Sequence, residues 1–148
     1  MCNILYVSTD SPADLTARNT DLVRFERVTD FEPCPYDLLL AYSCKWYVGS
    51  KSGCSCTFRR QGSPCDLWFG EPEEWFDEDQ DELDATRELY AALVSLLDGR
   101  YRVDLVYAWE GTPPADIVTI EVSFDDVSEC AFRLFENHRF YCRESVAT

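Results

Sequence analysis

The chain is predicted to be a single α+β domain over residues 1–148, with a mostly antiparallel sheet and one principal amphipathic helix near 79–98. Three observations lead there. Short runs rich in β-branched and aromatic residues crowd the first sixty positions, and their close spacing favours hairpins over long crossovers. One segment carries a sustained helical repeat, with further strand-like runs after it. No internal repeat or Pro/Gly/Ser-rich linker divides the chain, whose 148 residues and 46% apolar content suit one domain burying roughly 70% of the surface it exposes when unfolded.

Taken in order, residues 3–8 (Asn3-Ile4-Leu5-Tyr6-Val7 and the next residue) read as a strand, and Pro12 to Asn19 as a short helix. A second strand is expected at 22–28, although Leu22, Phe25 and Val28 do not alternate cleanly. Three more are expected at 37–43, 46–49 and 56–60, with Pro33, Pro35, Gly49, Gly53, Gly62 and Pro64 marking the loops. The helix rests on Leu83, Tyr90, Leu93, Val94 and Leu97, which fall on one stripe that Leu89 and Leu96 widen. Carboxylates from Asp77 to Asp84 suit its positive end, and Gly99 is the expected left-handed cap. Beyond it, 101–107 and 117–122 alternate as strands on either side of Gly111-Thr112-Pro113-Pro114. The segment 131–142 reads as a hairpin turning at Glu136-Asn137-His138, in preference to a short helix capped by Ser128.

Charge narrows the function classes. The formal net charge is -15, and it is uneven: residues 1–60 hold seven basic and seven acidic residues, whereas 61–148 hold six and twenty-one. That field opposes direct nucleic-acid binding and attraction to anionic membranes, and it favours a basic protein partner. The apolar strand follows the first residue almost at once, without the basic and apolar regions of a secretory leader, and no apolar run approaches the roughly 18 residues of a spanning helix. The expectation is a soluble cytoplasmic protein with reduced thiols, so its eight cysteines are not read as four disulfides.

Four of those cysteines, Cys44, Cys54, Cys56 and Cys65, fall within twenty-two residues around a Gly53-Cys54-Ser55-Cys56 turn. Four soft sulfur donors match the number and type preferred by tetrahedral zinc, although paired C-x2-C knuckles are lacking. Packed free thiols are the plainer alternative, since free cysteine behaves as a small hydrophobe. A third reading makes Cys54 or Cys56 a redox or nucleophilic thiol whose pKa is lowered by Lys45, Lys51, Arg59 and Arg60. The one histidine, His138, lies far along the chain and reads as a surface residue rather than as its base. Cys2 reads as the start of the first strand, because no partner that would activate it as a nucleophile is identifiable.

The second unusual segment is 66–84, where acidic residues interleave with Leu67, Trp68, Phe69, Trp75 and Phe76, and where no basic residue occurs from 61 to 86. Trp68, Phe69, Trp75 and Phe76 are the expected contacts for a partner, against the alternative that they pin an acidic loop onto the core. Asp77, Asp79, Asp81 and Glu88 match calcium-loop positions 1, 3, 5 and 12, but Glu82 stands where glycine is needed and a helix would splay the carboxylates. Gly49-Ser50-Lys51-Ser52-Gly53 lacks the phosphate-loop spacing. With no recognisable catalytic set, the expectation is a non-enzymatic binding domain using 66–84, with a thiol-based protein or a structural zinc site as the alternatives.

Overall fold

Alternation along the first strand sets up the two faces of the molecule. In the computed structural model, which describes residues 2–29, 31, 33–51, 53–61, 69 and 78–143, β1 (Asn3–Thr9) turns Leu5 and Val7 to one side and Ile4 and Tyr6 to the other. The remaining strands are β2 (Val23–Arg27), β3 (Cys44–Ser50), β4 (Arg60–Gln61), β5 (Val103–Trp109), β6 (Val118–Ser123), β7 (Leu134–Phe135) and β8 (His138–Arg143). Six of them form one sheet in the order β2-β3-β1-β5-β8-β6, while β4 and β7 form a separate parallel pair. Within the large sheet only β6 against β8 is parallel, so the predicted α+β class with a mostly antiparallel sheet is what the chain adopts.

Helix α1 (Gln80–Asp98) covers the Leu5 side of the sheet. Asp79 caps it, accepting the Asp81 N–H at 3.1 Å, and Asp81 and Glu82 place negative charge on the positive end. The buried stripe is Ala85, Thr86, Leu89, Ala92, Leu93, Leu96 and Leu97, with Leu83, Tyr90 and Val94 at its margins. Four of the predicted core positions are therefore central, but the stripe is rotated to include Ala85, Thr86 and Ala92. Burial of each central leucine contributes about 1.5–3 kcal/mol.

The helix ends in a Schellman motif whose left-handed residue is not the glycine expected. Gly99 has φ -76°, whereas Arg100 has φ 69°, with Arg100 N–H on Leu97 O at 3.0 Å and Tyr101 N–H on Leu96 O at 3.1 Å. A non-glycine residue is strained there, so Arg100→Gly is expected to raise the unfolding free energy by about 0.5–1 kcal/mol. A urea midpoint that rises at constant slope would bear this out; an unchanged or lower midpoint would not.

Two predicted strands and the predicted hairpin need correction. Residues 37–43 are not a strand: 35–39 form a turn with Tyr36 buried and Leu38 99% exposed, Leu40 just after it is buried, and strand begins only at Cys44. The turn packs Cys34, Tyr36 and Leu40 with Ile4, Tyr6, Val106 and Ala108, so the apolar run serves as a lid over the second sheet face. Of 56–60 only Arg60 is in a strand; the segment bends so that Phe58 enters the core beneath α1. In 131–142 the turn stands at 136–137, with Asn137 at φ 61°, but the two strands part. β7 pairs with β4, while β8 lies between β5 and β6.

β5 also departs from its alternating pattern, since Val103 to Ala108 are all buried. Asp104 lies on the second face, fully enclosed. Its carboxylate accepts Arg139 Nε at 3.0 Å, Arg139 Nη2 at 2.6 Å and the Ala41 N–H at 3.0 Å, as well as the Ser8 hydroxyl. This network fastens the covering loop to the sheet.

Candidate thiol site

The strongest chemical cluster lies at the end of the sheet where β1 begins and β3 stops. The antiparallel β1–β3 register, Tyr6 opposite Tyr47, carries the start of β1 to the turn that follows Ser50. That turn is tight. Gly53 N–H reaches Ser50 O at 2.9 Å and Ser50 N–H reaches Cys54 O at 2.8 Å. Gly53 has φ 88°, a conformation for which glycine is suited, and a Cβ on Gly49 would stand 2.9 Å from Gly53 O. Both glycines are therefore required by the path of the chain.

Ser55 then anchors the Cys-x-Cys segment. Fully buried, it donates its N–H to Asn3 O at 3.1 Å and its hydroxyl to Val48 O at 2.6 Å, and its carbonyl accepts the Tyr107 hydroxyl at 2.9 Å. Cys54 and Cys56 flank this pinned residue. On the other side, Cys2 O accepts the Glu110 N–H at 2.8 Å, which fixes the beginning of β1. The result is three half-buried thiols, Cys2, Cys54 and Cys56, whose sulfurs all lie within 4.8 Å of one another.

Electrostatics at Cys56 favour the protonated thiol. Burial, reinforced by the neighbouring Cys54 thiol, pushes Cys56 up to about 11, even though the Asn3 N–H donates to its sulfur at 3.2 Å. The basic residues expected to lower a thiol pKa are committed elsewhere. Lys45 binds Asp37 at 2.5 Å, Lys51 binds Asp81 at 2.9 Å, Arg59 binds Glu78 at 2.7 Å and Arg60 stands 3.7 Å from Glu82. Arg60 does reach the Cys56 carbonyl, so it braces the backbone of the site. The Asn3 side chain is fully buried, and among the described residues neither of its polar side-chain atoms has a hydrogen-bond partner. An orphaned amide costs about 1–3 kcal/mol, which marks this end of β1 as incompletely satisfied.

The other predicted site residues are distributed as follows. Cys44 begins β3 and Cys54 bonds to Ser50 at its end, so six residues, about 20 Å of extended chain, separate Cys44 from the cluster. Cys44 is not brought together with Cys54 and Cys56, and Cys65 lies outside the described residues. Cys2 occupies the place that the sequence reading gave to a more local cysteine. Trp68, Trp75 and Phe76 lie outside the described residues. Phe69 packs into the core, its ring centroid 5.9 Å from Phe132 and 5.1 Å from Phe135. Of the calcium-loop candidates, Asp77 lies outside the described residues, Asp79 caps α1, Asp81 binds Lys51, and Glu88 accepts the Thr20 hydroxyl at 2.6 Å. Those three point to separate partners, as a helix start requires. His138 is half-buried, bonds Glu136 O at 2.8 Å and packs edge-on against Phe135.

Among the described residues no helix is long and apolar enough to cross a membrane. No protein-family model, curated protein or solved structure matches the chain.

Proposed function

We propose that the protein is a non-enzymatic binding domain whose ligand is a soft, thiophilic metal ion, zinc or monovalent copper, held by Cys2, Cys54 and Cys56. The observation that carries this reading is the convergence of three sulfurs within 4.8 Å from two separate segments of chain. Sulfurs about 2.3 Å from a tetrahedral ion stand roughly 3.8 Å apart, so closing on an ion requires movements of no more than about 1 Å. Thiolates select zinc and monovalent copper over hard cations, and the Asn3 N–H on Cys56 is the kind of outer contact that stabilises a bound thiolate. Binding would release protons, so affinity should rise with pH as the thiols ionise more easily.

Zinc at one hundred times its dissociation constant should add about 2.7 kcal/mol to stability, a melting shift of roughly 5–10 °C for a domain of this size. The shift should vanish on chelation and in Cys56→Ser. If the triple variant of Cys2, Cys54 and Cys56 to serine, still folded, shows the same shift, the ion is held elsewhere.

A second reading, docking of a basic partner on the acidic segment 66–84, is supported by the charge around α1. Lys51, Arg60 and Arg87 are each paired with a carboxylate, so the surplus acids keep a negative field there. Retention of partner binding on replacing Trp68 and Trp75 together, in a folded variant, would count against this surface.

A further inference from the structure

We propose that the thiol cluster is also a redox-gated site, in which a hydroperoxide joins Cys2 to Cys54 as a disulfide and thereby expels the ion. The inference rests on the metal reading for its consequence, because any ligand set of these three sulfurs loses two of its three donors in one two-electron step. The geometry supplies the requirements. None of the seven described cysteines is in a disulfide, and the three sulfurs here stand within 4.8 Å, so a pair must close by at most about 2.7 Å to reach a bond of about 2.05 Å. All three residues are half-exposed, which admits a small oxidant.

The choice of pair follows from the backbone. Cys54 and Cys56 are separated by one residue, and Ser55 between them is fixed by three hydrogen bonds, so a bond between those two would close a small ring on a segment that cannot adjust. Cys2 comes from a separate segment, just before β1, and approaches without that restriction. Cys56 is further held by the Asn3 N–H, which donates to its sulfur at 3.2 Å. In the first step the Cys54 sulfur attacks the terminal peroxide oxygen, the O–O bond breaks, and the departing oxygen leaves as water or alcohol. Cys54 is then a sulfenic acid. The Cys2 sulfur attacks it, the S–O bond breaks, and the oxygen leaves as water. Two thiols have lost two electrons and two protons, and the peroxide has gained them.

The test loads full-length protein with one equivalent of zinc, removes the excess, and adds hydrogen peroxide while a chromophoric chelator reports free zinc and peptide mapping reports disulfides. Expected are release of the whole bound equivalent, a linkage between the Cys2 and Cys54 peptides in equal yield, and recovery of both on thiol reduction. Cys56→Ser should still form the linkage, whereas Cys2→Ser, lacking one of the two sulfurs, cannot. A bond between Cys54 and Cys56, or release with sulfinic acids and no disulfide, overturns the proposal. If zinc loads but neither release nor linkage occurs, the redox step fails and the metal reading stands. If zinc never loads but the linkage forms, the metal reading fails together with the gating, and only the disulfide chemistry remains.

Discussion

Asp104→Asn should cost about 3–5 kcal/mol of folding free energy, because it leaves the Arg139 guanidinium without its carboxylate in a largely enclosed site. The substitution preserves shape and removes only charge. Asparagine can still accept the Ser8 hydroxyl or the Ala41 N–H, but it cannot offer two charged oxygens to both the guanidinium and the loop. The covering turn should loosen first, so amide exchange at Leu39 and Leu40, whose N–H groups bond Tyr36 O, should accelerate before global unfolding. Urea unfolding gives the total loss. A cost below about 1 kcal/mol would mean that the pair contributes no more than a surface ion pair does.

Phe132→Ala should be comparably severe, at about 3–5 kcal/mol. Phe132 is fully buried among Phe69, Tyr90, Phe124 and Phe140, with ring centroids 5.4 to 6.3 Å away. Removing it opens a cavity that rigid aromatic neighbours fill poorly. It also withdraws one of the rings that hold Phe69, so proteolysis within the acidic segment should speed up by more than the global loss alone explains. Equal acceleration at all sites would indicate global unfolding only, and Phe69 would not be a local anchor.

These two residues also show how far the sequence could be read. α1 was legible because its signals are local: a 3.6-residue repeat, an acidic first turn and a glycine just beyond the last turn. Asp104 was not legible, since a charge between apolar residues reads as solvent-facing unless Arg139 and the 33–42 loop are known to cover it. The same distinction governs the thiol site. Gly53-Cys54-Ser55-Cys56 could be recognised as two soft donors on a turn, but the third donor depends on β1–β3 register, which no single segment encodes. Cys44 is ten residues from Cys54 in sequence yet lies along an extended strand, so nearness in the chain became distance in space. Likewise Lys45 and Arg59 are close to the cysteines in sequence while their charges are spent on Asp37 and Glu78.

Cobalt(II) titration under anaerobic conditions, comparing Cys2→Ser with Cys44→Ser, tests the metal site most directly, because thiolate-to-cobalt charge transfer reports sulfur ligation independently of stability. Expected is one equivalent bound with an intense band in the unsubstituted protein and in Cys44→Ser, and loss of that band in Cys2→Ser. A band that survives in Cys2→Ser but disappears in Cys44→Ser would contradict the assignment of Cys2, Cys54 and Cys56 as the site.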